Sequence, residues 1–85
     1  MPIISQFYGI SIYMFWREHE PAHFHAKYGE DEIVVEIKTG KVLGKMTPRA
    51  LALVQEWRKA HLDELNQEWE RVKAKKQLFP IKPLE

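Results

Sequence analysis

The 85-residue chain contains no cysteine, so it has no disulfide framework, no thiolate zinc site and no thiol nucleophile. Glycine is scarce, with four residues, and none belongs to a phosphate-cradling loop. There is no serine-centred nucleophile elbow and no internal repeat. The longest apolar run, Ile12-Tyr13-Met14-Phe15-Trp16, has the length of a strand and falls far short of the roughly 18 residues of a membrane span. No basic stretch leads into an apolar segment and cleavage site at the N-terminus. We therefore expect a cytoplasmic protein that does not engage a membrane, in keeping with the lack of cysteine.

What is present is ordinary globular composition: 45% hydrophobic, 29% charged and 12% aromatic. This excludes wholesale disorder, a collagen-like repeat and a coiled-coil rod. The length fits one domain over residues 1–85. A chain of this size buries only about two-thirds of its unfolded surface. Its stability must draw on aromatics (Trp16, Trp57, Trp69), a partner chain or a histidine metal site. We expect a homo-oligomer or a hetero-complex. The net charge of +1 hides an asymmetry: residues 1–40 carry three basic and six acidic side chains, residues 41–85 ten and six. The basic excess peaks at Arg71, Lys73, Lys75 and Lys76. These are either a dipole-matched helix end or a patch for RNA or an acidic partner.

The chain reads as α+β, a small antiparallel meander of three to four strands over about 3–45. Two helices, or one kinked helix, follow over about 48–76, and an extended Pro-containing tail over 77–85. Ile3 to Trp16 is expected as one strand, with Gly9 a bulge or bend. Ala22–Tyr28 alternates His23, His25 and Lys27 against Phe24, Ala26 and Tyr28. Glu32–Lys38 and Lys41–Lys45 follow as strands, the latter after a Thr39-Gly40 turn. Thr47-Pro48 is a helix start, with Met46 and Leu51 placed as a hydrophobic staple. The apolar stripe Ala50, Leu51, Leu53, Val54, Trp57 is out of phase with Leu62, Leu65, Trp69, Val72, which implies a break near 60–63. Pro80 and Pro83 forbid helix, and Leu78, Ile81 and Leu84 suit an extended strap.

Three of the four histidines fall within His19-Glu20-Pro21-Ala22-His23-Phe24-His25. His23 and His25 share a strand face, partly open to solvent. They can bind a divalent ion, with His19 or a carboxylate as third ligand, or act as general acid and base near neutrality. They can equally be structural, each ring bonded to backbone. The candidate catalytic residues are His23, His25, Lys27 and Arg17; the candidate nucleic-acid or partner patch is Arg71, Lys73, Lys75 and Lys76. No cofactor is expected and no metal is favoured, with His23 and His25 the ligands if one binds. The sheet aromatics are core before they are base-stacking surfaces. His61, at the suspected helix junction, is read as a capping or packing residue.

The order of several motifs resembles a known family. They are Met1-Pro2-Ile3-Ile4-Ser5-Gln6-Phe7-Tyr8-Gly9-Ile10, Pro21-Ala22-His23-Phe24-His25-Ala26, the Gly-Glu-x-Glu hairpin and Thr39-Gly40-Lys41-Val42-Leu43. Arg49-Ala50-Leu51, Glu56-Trp57 and the ending Phe79-Pro80-Ile81-Lys82-Pro83-Leu84 complete the set. Together they resemble the small bacterial domain of unknown function 4160 over nearly the whole chain. The pattern carries over onto Phe7, Tyr8, Gly9, Pro21, His23, His25, Ala26, Gly40 and Trp57. Its polar Asp/Asn-containing stretch is here Arg17-Glu18-His19-Glu20, which argues against a three-histidine site.

The resemblance implies a short cytoplasmic protein encoded beside another small protein, in the manner of a toxin–antitoxin module. On that reading the chain is a component, as the toxin half, acting on RNA or translation, with the neighbouring antitoxin-like protein as partner. The alternatives are a non-catalytic interaction or regulatory module and a small His-ligated metal-binding protein. The sequence leaves open whether the chain is an enzyme and which half of such a module it is.

Overall fold

A computed structural model describes residues 2–85. Five strands, β1 (Ile3–Phe7), β2 (Ile10–Tyr13), β3 (His23–Tyr28), β4 (Asp31–Glu36) and β5 (Val42–Gly44), precede two helices, α1 (Pro48–Ala60) and α2 (Leu62–Lys73). The fold is α+β. The strands form one antiparallel sheet in sequence order, β1-β2-β3-β4-β5.

The expectation of three to four strands is corrected to five, because Ile3 to Trp16 is not one strand. Phe7 pairs with Ile10, and Tyr8 (φ 49°) with Gly9 (φ 81°) forms a two-residue loop with both residues left-handed. That is the turn whose twist matches a β-hairpin, and glycine supplies one of its two positions at no steric cost. The two-residue loop shifts the alternation by one position, since Phe7 and Ile10, three apart, share a face; with bulky residues at both parities of 3–16, that shift leaves no visible break in the pattern. The expected Lys41–Lys45 strand is shorter, Val42–Gly44.

One sheet face carries Ile10, Ile12, Phe24, Ala26, Ile33, Val35 and Ile37, all buried against the helices. Trp57 is their centre, with ring centroids 5.6 Å from both Phe7 and Phe24. On α1, Thr47 caps by accepting the Ala50 N–H at 3.3 Å, and Pro48 occupies the first turn, where its missing donor costs nothing. The helices break at His61, whose backbone (φ −130°, ψ 31°) leaves the helical region. The break lets Val54 and Trp57 on α1, and Leu65, Trp69 and Val72 on α2, reach the same core. Leu62, expected on that stripe, is instead exposed. His61 packs its ring 5.5 Å from Trp57 and bonds Glu64 through Nδ1 at 2.5 Å.

The helical stretch, expected to reach about Lys76, stops at Lys73. Lys75 turns left-handed (φ 57°); its N–H donates to the Val72 carbonyl and the Lys76 N–H to that of Arg71. This pair of bonds is the Schellman closure of a helix, which uses carbonyls the last turn would otherwise leave unpaired. The chain then runs back without helix or strand. Its Ile81 is buried, and the Ile81 N–H donates to the Ile4 carbonyl at 2.6 Å. The Trp57 indole donates to the Lys82 carbonyl at 3.0 Å. The tail thus covers the β1 edge of the sheet.

Candidate functional site

The sheet face turned away from the Trp57 core holds the histidines. Alternation on β3 sends Phe24 and Ala26 into the core and His23 and His25 to the other side. Both imidazoles are partly open, with side chains 13% and 14% accessible. Tyr13, paired with His25 across β2, stacks on its ring at 5.2 Å and 12°, and Phe15 meets the same ring edge-on at 4.9 Å. Trp69 of α2 lies 5.1 Å from the His23 ring. Aromatic packing therefore holds each imidazole in place. The Tyr13 hydroxyl is buried with no hydrogen-bond partner among the described residues.

Glu18, in the segment between β2 and β3, bridges the two rings. Its Oε1 lies 2.6 Å from His25 Nε2 and its Oε2 lies 3.4 Å from His23 Nε2. His23 Nδ1 lies 2.7 Å from the Pro21 carbonyl. A carbonyl can only accept, so Nδ1 carries a proton; a His23 ring without a second proton would present the bare nitrogen of Nε2 to Glu18. Two lone-pair-bearing groups facing each other repel unless a proton or a cation lies between them. Ligand atoms of Glu18, His23 and His25 all lie within 4.8 Å of one another. Burial tends to raise the Glu18 carboxyl. The hydrogen bond from His25 and the charges of His23 and His25 outweigh that and hold it below its ordinary value.

The three residues line one cleft of about 420 Å³, together with His19, Glu20, Pro21, Val34, Glu36, Lys41 and Leu43. Glu20 is already engaged: it accepts the Trp69 indole N–H at 3.0 Å and lies 3.6 Å from Lys73.

The structure brings together only part of the expected set. His23 and His25 are adjacent, with ring centroids 5.4 Å apart. Lys27 is further along β3, exposed, paired across the sheet with Ser11 and Glu32, and outside the cleft. Arg17 is exposed and also outside it. His19 lines the cleft but is not in the ligand group; the third member is Glu18, so the carboxylate takes the place offered to His19. Glu18, Glu36, Lys41 and Leu43 were not singled out by sequence. The pairing of β3 with β4, and β4 with β5, is what carries the last three to the histidines.

The basic run is divided. Arg71 pairs with Glu68, which is buried and also accepts the Phe79 N–H at 2.7 Å. The Arg71 guanidinium lies over the Phe79 ring, 4.6 Å from its centroid. Lys73 pairs with Glu70 at 2.9 Å, and that bond first of all raises its ammonium above the ordinary value. Lys75 and Lys76 lie past the helix end, exposed and without an ion pair among the described residues. Lys75 is not helical and so does not share a helix face with Arg71.

No helix is long and apolar enough to cross a membrane. No curated protein and no solved structure matches the chain. The family profile described as domain of unknown function (DUF4160) matches residues 9–70, a span from the first hairpin turn through the Glu18, His23 and His25 cluster into α2, and the chain belongs to that family.

Proposed function

We propose that this is a small metal-binding protein that holds one divalent transition ion with Glu18, His23 and His25. The observation that carries the reading is the Nδ1 contact of His23 with the Pro21 carbonyl. A backbone acceptor on one ring nitrogen is the usual outer-shell partner of a metal-bound histidine: it fixes the tautomer and aims the other nitrogen at the ion. Two imidazoles and one carboxylate with open positions are a donor set for Fe(II), Zn(II) or related ions. The charge of the cleft agrees. Glu18 and Glu36 line it, beside a Glu20 paired with Lys73, against the lining ammonium of Lys41; the remaining negative charge attracts a metal ion and repels a phosphate backbone. The test is elemental analysis of protein purified without chelator, then re-metallation with Zn2+ or Co2+. One ion per chain, lost in His23→Ala and His25→Ala variants that still fold, is the expected result. A metal-free protein that takes up no ion sinks the reading.

A second reading, the effector half of a two-protein module acting on RNA, is favoured by a different corner. The Trp16 indole donates to the Lys76 carbonyl at 2.8 Å while its ring stays 41% exposed. Exposed Phe79 lies under Arg71 nearby in the chain. Aromatic rings beside unpaired lysines suit single-stranded RNA, where bases stack and phosphates meet cations. Gel-shift titration of Lys75→Gln/Lys76→Gln and Trp16→Ala against a short single strand tests it; unchanged, salt-insensitive binding would dismiss it.

A further inference from the structure

Two rows of side chains cross the open sheet face from the histidines. His25 pairs with Val34 and Val34 with Leu43. His23 pairs with Glu36, whose N–H donates to the Lys41 carbonyl at 2.9 Å. Residues directly opposite in a sheet project to the same face, with strands about 4.8 Å apart. One row therefore runs imidazole, valine, leucine, and the other imidazole, carboxylate, ammonium. The Glu36 N–H and carbonyl both bond toward β5, to Lys41 and Gly40. This makes His23–Glu36 a non-hydrogen-bonded pair across β3 and β4, the variety in which side chains approach most closely. His25–Val34 has the same parity. The apolar row thus begins in contact with a ligand and extends about 10 Å to the sheet edge. It ends at Leu43, the most exposed large apolar side chain among the described residues at 62%.

We propose that the cleft binds a short straight-chain monocarboxylate, with its head on the ion and its alkyl chain along Val34 and Leu43. This rests on the metal reading above. Three protein ligands leave coordination positions open, and all three line the cleft, so those positions face it. The charge selects a monoanion. Glu36 and Lys41 offset each other, Glu20 is engaged by Lys73 and Trp69, and a divalent ion with Glu18 retains one positive charge. A polyphosphate would overfill that charge, and a neutral alkane would leave it unused. The cleft, at about 420 Å³, is in the range of small-molecule sites.

The experiment is a calorimetric series of acetate, butyrate, hexanoate and octanoate against the Zn2+-loaded protein, its metal content measured first. Each methylene laid on the track is expected to tighten binding by up to about fourfold. The gain should stop once the chain passes Leu43. Leu43→Ser, at an exposed position outside the buried core, should flatten the series while leaving metal content unchanged. A flat series in metal-loaded wild type, or a Leu43→Ser series as steep as wild type, overturns the proposal while the metal reading stands. Absence of bound metal removes both, and elemental analysis tells the two failures apart.

Discussion

Glu18 and His25 lie seven residues apart in sequence and meet at 2.6 Å, carboxylate oxygen to Nε2, because the polar segment before β3 folds back over the strand it feeds. The segment acts as a clasp: it delivers a carboxylate to a ring that Tyr13 and Phe15 already hold on two sides.

From that clasp the first expectation concerns metal affinity. Glu18→Gln keeps the shape but removes the charged donor, and Zn2+ affinity should fall by at least about tenfold to a hundredfold, the scale on which even outer-shell changes act. Loss of His25 should be worse. Competition with a chromophoric chelator measures both, and equal affinity in wild type and Glu18→Gln would remove Glu18 from the ligand set.

Acid stability should report the same carboxylate in the metal-free protein. The folded Glu18 carboxyl is held below the ordinary value of 4.5, first against burial, which raises it, and then by His25 and His23. A depressed folded value means the unfolded chain takes up the proton first. The contribution of Glu18 is then present above about pH 4.5 and is lost as pH falls through the lower folded value. Urea midpoints measured from pH 6 downward should decline less steeply in Glu18→Gln than in wild type. Parallel curves would contradict this.

How much of this was legible in the sequence follows from what each pattern encodes. The strand alternation at His23-Phe24-His25 and the cap at Thr47-Pro48 are local, set by neighbours in the chain, and could be read directly. The phase shift between the Trp57 and Trp69 stripes likewise exposed the break at His61. The Tyr8-Gly9 hairpin was hidden because tyrosine at a left-handed position is not a turn signal, whereas Asn-Gly would have been. Glu36, Lys41 and Leu43 were hidden for another reason: only strand pairing brings them to the histidines, and pairing is a tertiary fact. Glu18 lay in view, inside a turn whose other residues drew attention to His19.

Gly40 supports a stability test. A methyl group added there would meet the Arg58 guanidinium at 2.7 Å, and φ is +79°. Arg58 is buried, donates to the Ile37 carbonyl at 2.7 Å and to Gln55 at 2.8 Å, and so ties α1 to the turn between β4 and β5. Gly40→Ala should cost about 1–3 kcal/mol through backbone strain and the displaced guanidinium. Chemical denaturation measures it, and a change under about 0.5 kcal/mol would mean that Arg58 shifts freely.

Ile81 is the apolar anchor of the tail. Ile81→Ala should cost about 2–4 kcal/mol, the scale of large-to-small changes at buried sites. It should also raise amide exchange at β1, whose edge the tail covers. Hydrogen exchange resolved to residues 3–7 checks this; protection unaltered there would place the tail's contribution elsewhere.

The bond from the Ile81 N–H to the Ile4 carbonyl joins nearly the first and last described residues, and so it has a consequence in time. During synthesis β1 is made before the other four strands, and the backbone that closes its edge is made 77 residues later, on the order of ten seconds at usual elongation rates. Until then the nascent sheet shows an open, partly apolar margin to the ribosome exit and to other nascent chains. A stalled or shortened message would thus release a product with a complete β3 and an intact histidine pair, yet with a bare strand ready to pair with whatever lies nearest.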